Sequence, residues 1–115
     1  MESIEILKLA AKALDSKKAH DMSAIYVEDV TTLTDYFLIA NGGSTTQVKA
    51  LADEVDYALG QQGLNPHHIE RSPSWTLLDY GTVIVHVFYK EAREFYSLDK
   101  MWQDGTPVDM EEILK

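Results

Sequence analysis

The sequence of 115 residues contains no cysteine, three prolines and few basic side chains. The absence of cysteine excludes disulfides, thiolate catalysis and cysteine-ligated zinc, and it is compatible with a reducing compartment. Ten lysines and arginines against 19 aspartates and glutamates give a formal net charge of −9. Such a surface repels phosphate at long range, which argues against non-specific binding of DNA, RNA or anionic lipid and favours a basic partner.

Long hydrophobic runs are equally scarce. The two longest, residues 36–40 and 83–89, fall far short of the ~20 apolar residues that a membrane-spanning helix needs. Glu2 and Glu5 lie where an export signal would carry positive charge. We therefore expect a cytoplasmic protein without a membrane partner, and the length fits a single domain over residues 1–115.

Apolar residues at helical spacing predict two helices in the first half of the chain. Ser3 is expected to cap the first helix. Ser44 is expected to cap the second, which extends to about residue 62 and is ended by Gly63. The second helix has an apolar stripe of Val48, Leu51, Ala52, Val55 and Leu59. This stripe is expected to pack against a sheet.

Short apolar runs predict the strands. Residues 24–27 and 36–40 are the first two, and the second of them is expected at the centre of the sheet because its apolar run is continuous. Residues 75–79 and 82–89 flank Tyr80-Gly81 and are expected to form an antiparallel β-hairpin.

Beyond the hairpin, Glu91 begins a third predicted helix in which Phe95, Leu98 and Trp102 follow helical spacing. Residues 103–115 are a short acidic tail, which we expect to be a solvated surface. The order α-β-β-α-β-β-β-α predicts the α/β class, of the α+β type, with a single mixed β-sheet flanked by helices.

The turn Asn41-Gly42-Gly43-Ser44 joins a predicted strand to a predicted helix. Its backbone N–H groups could hold an anion, and a Gly-Ser pair here is also typical of nucleotidyltransferases, which add two metal-binding carboxylates on a neighbouring strand. The strand 75–79 offers a single carboxylate. We therefore favour a turn with an N-cap and predict no catalytic residue, no metal and no cofactor, while a nucleotide-binding enzyme stays an alternative.

The histidines do not form a recognisable metal or catalytic site. His67 and His68 point to opposite faces of any strand, so at most His68 and Glu70 lie together, which is too few ligands. His86 lies inside a predicted strand with no nucleophile at a fixed spacing. We predict that it is a hydrogen-bonded sheet histidine rather than a catalytic base.

Trp75 follows a Ser-Pro-Ser break at the start of a strand. Two interpretations stay open, a core tryptophan or a partly exposed anchor on a partner surface worth ~2 kcal/mol or more. Strand alternation places Trp75 on the face of Leu77 and Asp79. Tyr80 shares that surface only if the turn begins before it. Residues 61–90 carry two acids and two bases, whereas the regions on either side are acidic.

Three segments taken together resemble the ribosomal silencing factor (RsfS, Iojap-related) family. They are Asp35-Tyr36-Phe37-Leu38-Ile39-Ala40 leading through Gly43-Ser44 to Gln47-Val48, then Trp75-Thr76-Leu77-Leu78-Asp79-Tyr80-Gly81 with Val83-Ile84-Val85-His86-Val87-Phe88, and finally Arg93-Glu94-Phe95-Tyr96-Ser97-Leu98-Asp99 with Trp102. The resemblance covers nearly the whole chain, although Arg71 and Thr82 depart from the usual family residues. It implies a nucleotidyltransferase-like fold without the catalytic carboxylates, in agreement with the missing pair.

The resemblance also implies a function. Members of the family attach to the large ribosomal subunit through ribosomal protein L-fourteen, obstruct joining with the small subunit and repress translation when nutrients are short. The contact residues that it implies for this chain are Trp75, Asp79, Tyr80, Gly81, Glu70, Tyr96 and Trp102. It further implies contact with ribosomal RNA at the margin at most, no DNA partner, and a free protein compatible with a homodimer.

Three functions therefore stay open at the level of sequence. The first is a translational repressor that acts by steric occlusion, which needs a patch of about 800 Å² per partner and no reacting group. The second is a large-subunit assembly factor, as organelle relatives of the family are. The third is a small nucleotidyltransferase-like enzyme that binds nucleotides. We predict the first, and hence a binding protein rather than an enzyme.

Overall fold

A computed structural model describes residues 1–91 and 104–115 of the chain. Its elements are, in order, α1 (Ser3–Ser16), β1 (His20–Tyr26), β2 (Tyr36–Gly42), α2 (Thr45–Gly60), β3 (His68–Ser72), β4 (Trp75–Asp79), β5 (Val83–Tyr89), β6 (Thr106–Val108) and α3 (Met110–Leu114). The six strands form one sheet in the order β3-β4-β5-β2-β1-β6. This confirms the predicted mixed sheet, flanked by helices, of the α+β class.

The centre of the sheet is the parallel pair of β2 and β5. The other described strand pairs are antiparallel. From β2 the chain reaches β5 through α2, β3 and β4, because a parallel pair cannot be joined by a tight turn. The strand β2 is buried from Phe37 to Gly42, which confirms its predicted central position. A Cβ at Gly42 would lie 2.9 Å from the backbone nitrogen of Val48, so α2 packs directly on the end of β2.

The helices α1 and α2 pack on one face of the sheet. The predicted stripe of α2 is buried: Val48, Leu51, Ala52, Val55 and Leu59. The Ser44 hydroxyl accepts a hydrogen bond from Gln47 N–H at 3.0 Å, which confirms the predicted cap. The predicted cap of α1 is wrong, because Ser3 is already helical and Glu2 holds the cap position without a side-chain hydrogen bond. Helix α2 ends at Gly60, and Gly63 follows with a left-handed φ of +78°.

The predicted acidic tail is folded over much of its length. Strand β6 pairs with β1, with Val108 opposite Ala24. Helix α3 packs on α1 and leaves Ile113 only 3% exposed. A three-residue strand gives no alternation pattern, and its Pro107 is tolerated because β6 is an edge strand. The expectation that residues 103–115 are simply a solvated surface is therefore wrong for β6 and α3.

The third predicted helix falls largely in the part of the chain that the structure does not describe. Its apolar residues Phe95, Leu98 and Trp102 lie outside the described ranges, as does Tyr96. Within the described ranges, no helix combines the length and the apolar character that crossing a bilayer requires.

Candidate partner-binding site

The hairpin of β4 and β5 forms around Tyr80 and Gly81 as predicted, with Trp75 opposite Phe88. Gly81 has a φ of +84°, in the left-handed region that glycine adopts without strain. The Asp79 carboxylate accepts a hydrogen bond from Gly81 N–H at 2.7 Å. Asp79 therefore stabilises the turn with the same side chain that we predicted for partner contact.

Among the residues that the structure describes, an aromatic cluster on the sheet face opposite α1 and α2 consists of Phe37, Trp75, His86 and Phe88. The Trp75 ring stacks on Phe88 at a centroid distance of 5.5 Å and on His86 at 5.8 Å. Its indole Nε1–H donates a hydrogen bond to His86 Nδ1 at 3.2 Å. Trp75 is half-buried, so part of its ring is accessible while two neighbours and a hydrogen bond set its orientation.

His86 is the buried polar member of this cluster, with 4% of its surface exposed. Burial lowers the pKa of His86 to about 4, so the imidazole is neutral near pH 7. Because Nδ1 accepts from Trp75, the proton of the neutral ring is assigned to Nε2, which has no hydrogen-bond partner among the described residues. The prediction of a hydrogen-bonded sheet histidine is confirmed.

A polar rim adjoins Trp75 on the same face. Strand β3 extends from His68 to Ser72 and places Glu70 opposite Leu77. Cross-strand partners share a face, so the surface that we call the hairpin patch consists of Glu70, Trp75, Leu77 and Asp79. Glu70 is exposed and the other three are half-buried. Both carboxylates adjoin Leu77, Glu70 across the strand pair and Asp79 two residues along β4, whereas Trp75 lies at the other end of the patch opposite Ser72. Strand alternation indicates Leu77 as a member, although the predicted contact set omits it.

Tyr80 lies on the other side of the sheet from this patch. Its ring is 6% exposed and belongs to the core beneath the helices, and burial followed by the charge of Asp56 raises its pKa. Tyr80 N–H donates a hydrogen bond to the Val83 carbonyl at 2.9 Å, so Tyr80 continues the alternation of β4 and the turn begins only at Gly81, too late for Tyr80 to share a surface with Trp75. The Tyr80 ring therefore supports the hairpin from behind, and only the turn backbone is available for contact at this position.

The described residues do not form a metal site. His68 and Glu70 lie together as predicted, with Nε2 and Oε1 3.1 Å apart. No group of three or more histidine or carboxylate side chains suited to a metal ion occurs in residues 1–91 and 104–115. Two exposed ligands are too few to hold a metal ion firmly.

Two backbone donors at the start of α2 are satisfied by neighbouring side chains. Gly43 N–H donates to Gln47 Oε1 at 2.6 Å, and Gln47 N–H donates to the Ser44 hydroxyl. This reciprocal arrangement resembles a capping box, with Gly43 donating in place of the N-cap residue, and it uses the N–H groups of Gly43 and Gln47. The neighbouring strand β5 contains no carboxylate and β4 contains only Asp79. A turn with an N-cap is therefore confirmed, and the site lacks the carboxylate pair of a nucleotidyltransferase.

These features define an α+β protein with an aromatic patch that carries two carboxylates and with a side-chain-capped N-terminal turn of α2 that lacks the carboxylate pair of a nucleotidyltransferase. The chain belongs to the RsfS family, since the family model described as "Ribosomal silencing factor during starvation" matches residues 1–115. The family resemblance of the three sequence segments is thereby confirmed.

Relatives of the chain carry related names. The "Ribosomal silencing factor RsfS" of Bacillus subtilis is 39% identical over 113 residues, covering 96% of each chain. A crystal structure of a protein from Chromobacterium violaceum superposes with a TM-score of 0.87 at 36% identity, covering 90% of this chain and 88% of that one. The mouse "Mitochondrial assembly of ribosomal large subunit protein 1" is 29% identical over 101 residues. The match covers 84% of this chain and 44% of the mouse protein. The names of the Bacillus and mouse relatives refer to ribosomal silencing and to assembly of the large ribosomal subunit.

Proposed function

We propose that this chain binds the large ribosomal subunit through ribosomal protein L-fourteen and blocks joining of the small subunit, which represses translation when nutrients are short. Family membership supports the general role in ribosome silencing. The observation that carries the specific proposal is the hairpin patch, in which a tryptophan stacked on two rings lies on the same face as Leu77 and its two neighbouring carboxylates, Glu70 and Asp79. Occlusion of a surface requires such a contact area and no reacting group.

Trp75 has the properties of an interface anchor. A side chain already held in one orientation loses little conformational entropy on binding, and Trp75 is held by His86 and Phe88. Truncation of a hot-spot tryptophan typically costs ~2 kcal/mol or more, roughly thirtyfold in Kd. The patch backbone is also fixed, because both of its strands are hydrogen-bonded within the sheet.

The charge of the chain favours a basic partner. A net charge of −9 attracts a basic ribosomal protein over long distances and opposes extended contact with RNA. Glu70 and Asp79 supply negative charge at the patch itself. Charges at the rim of an interface mainly raise the association rate, so the proposed encounter should slow as salt is added. The proposed location is the cytoplasm, and RNA contact is confined to the margin.

Two measurements test this function: co-sedimentation with purified large subunits, and light scattering of subunit joining. The wild-type chain is expected to co-sediment and to inhibit joining. Trp75→Ala is expected to weaken both effects roughly thirtyfold. Glu70→Lys, at an exposed position that does not endanger folding, is expected to slow association. Unchanged joining at saturating wild-type protein would refute the proposal.

Matched variants on the helix side of the sheet serve as controls. Tyr57→Ala removes an aromatic side chain that is 63% exposed on α2. Asp15→Lys reverses an exposed charge on α1. Both should inhibit joining as the wild type does, and the melting temperature of Trp75→Ala shows whether it is folded. Equal losses in the patch variants and the control variants would contradict the assignment of the hairpin patch.

A second function, assembly of the large subunit, is supported by the name of the mouse relative. Sucrose-gradient profiles of cells depleted of the protein separate the two functions. Loss of an assembly factor leaves large-subunit precursors, whereas loss of a silencing factor leaves mature subunits that join during starvation.

Sedimentation velocity of the purified chain tests whether the free protein forms a homodimer, as the family resemblance allows.

A further inference from the structure

A cleft of about 440 Å³ lies between the first turn of α2 and the β3–β4 hairpin. The residues that matter to its chemistry are Thr45, Thr46, Lys49, Arg71 and Thr76. The cleft lies at the N-terminal end of α2, which directly follows the carboxyl end of β2. It is on the face of the sheet opposite to Trp75. Ligands in open sheets of α/β type commonly bind outside the carboxyl ends of the parallel strands.

Two cations from different elements meet at this cleft. Lys49 Nζ lies 2.8 Å from Asp53 Oδ2, and Arg71 Nη2 lies 3.0 Å from Asp53 Oδ1. The hydrogen bond from Lys49, together with the charge of both cations, lowers the pKa of Asp53. One carboxylate thus faces two cations, which leaves a local positive charge in a chain whose net charge is −9. An ammonium has three donors and a guanidinium five, so both retain donors for a ligand.

Thr76 adds a hydroxyl to the wall of the cleft. The residue is 2% exposed and lies opposite Arg71 in the sheet. Its hydroxyl has no hydrogen-bond partner within residues 1–91 and 104–115. The hydroxyl oxygen is not one of the fully buried polar atoms, so it opens onto the cleft and can hydrogen-bond to a ligand there.

The first turn of α2 contributes to the same cleft. Thr45 and Thr46 are its first two residues, and backbone N–H groups at this position have no partner within the helix. The helix dipole adds partial positive charge at this end. The hydrogen bonds at this cap use the N–H groups of Gly43 and Gln47, so the N–H groups of Thr45 and Thr46 stay available to a ligand.

We propose that this cleft binds the phosphate groups of a small phosphorylated molecule, with Lys49 and Arg71 pairing with its charge and the Thr76 hydroxyl hydrogen-bonding to an oxygen. Its volume lies within the range of small-molecule sites, ~300–1,000 Å³. The net charge of the chain disfavours a long polyanion such as RNA, which would extend beyond the local positive charge. Because Thr76 and Trp75 point to opposite faces of β4, this site is separate from the hairpin patch and goes beyond the proposed function.

Calorimetric titration with inorganic pyrophosphate at constant ionic strength tests this proposal. Pyrophosphate is expected to bind the wild type and to raise its melting temperature. Lys49→Gln and Arg71→Gln should each weaken binding about tenfold or more, because each removes a charge-assisted contact. The matched control is Lys12→Gln on α1, which makes the same charge change at an exposed position and should bind as the wild type. Thr76→Val should lose affinity, whereas Thr76→Ser, which keeps the hydroxyl, should recover it.

Further arms identify the source of the phosphate. Tighter binding of ATP or ADP than of pyrophosphate would show that a nucleotide is the ligand, and equal binding would show that the phosphates alone are recognised. The proposal is overturned if pyrophosphate gives neither heat nor a shift in melting temperature. It is also overturned if Arg71→Gln and Lys12→Gln bind equally, or if a single-stranded RNA oligonucleotide binds more tightly than every small phosphate. None of these results depends on ribosome binding.

Discussion

Protonation of His86 should make the fold sensitive to mild acid. Burial lowers the pKa of His86 to about 4 in the folded chain, against 6.5 for an ordinary histidine. Between these two pH values the unfolded chain binds a proton that the folded chain does not. The free energy of unfolding therefore falls as the pH decreases below about 6.5, and this contribution is exhausted near pH 4. The shift corresponds to about 3 kcal/mol.

The variant His86→Asn isolates this effect. Its amide oxygen is close to the former Nδ1 position, so Trp75 keeps an acceptor, but the amide does not titrate. The smaller side chain leaves space beside Phe37 and Phe88, so the variant should be less stable at pH 7. The pH dependence, and not the absolute stability, is the readout. The two proteins share every other ionisable residue, so the difference between their pH profiles reports the substitution at position 86.

Urea unfolding of both proteins between about pH 7 and pH 4.5 measures the difference. The wild type is expected to lose about 2.5 kcal/mol more than His86→Asn over this range. An NMR titration should show one histidine ring that stays neutral to about pH 5 and is absent from the variant. Parallel pH profiles for the two proteins would refute the reasoning, because they would mean that the His86 ring is solvated in solution.

Two further predictions concern the hairpin turn and the carboxyl-terminal region. Gly81→Ala should lower the free energy of unfolding by about 1–3 kcal/mol, because φ is +84° and a Cβ would lie 3.0 Å from His67 Cε1. Gly60→Ala, where a Cβ meets nothing within 4 Å, should instead raise the free energy of unfolding by about 0.5–1 kcal/mol in urea unfolding. A loss of stability in Gly60→Ala would contradict the attribution of the Gly81→Ala effect to the φ and contacts of residue 81. Ile113→Ala should cost about 2–4 kcal/mol because the side chain is 3% exposed, whereas Glu111→Ala should cost almost nothing; equal stabilities would show that α3 is undocked.

The candidate site was predictable in part. Strand alternation placed Trp75, Leu77 and Asp79 on one face, and the glycine at position 81 marked the turn, because both signals depend on a few neighbouring residues. The half-burial of Trp75 was not predictable, since the sequence allowed both a core and a surface tryptophan. Its exposure depends on Phe88 and His86, which lie on the opposite strand.

Tyr80 and the phosphate cleft illustrate a different limit. The sequence places Tyr80 within five positions of Trp75, yet the sheet separates the two rings, because the turn begins one residue later than a shared surface requires. Lys49 and Arg71 meet at Asp53 although they belong to a helix and an edge strand. No periodicity in the chain indicates such a meeting, since it depends on where α2 crosses the sheet.

The sequence by itself determined the acidic charge, the buried stripe and cap of α2, the central position of β2 and the turn at Gly81. Each of these depends on composition or on spacing within one element, and so it can be derived from local chemistry. Tertiary structure alone decided the burial of Tyr80, the pairing of β6 with β1, the loss of basicity at His86 and the shared partner of Lys49 and Arg71. These depend on contacts between distant parts of the chain, which form only when the sheet and the helices pack together.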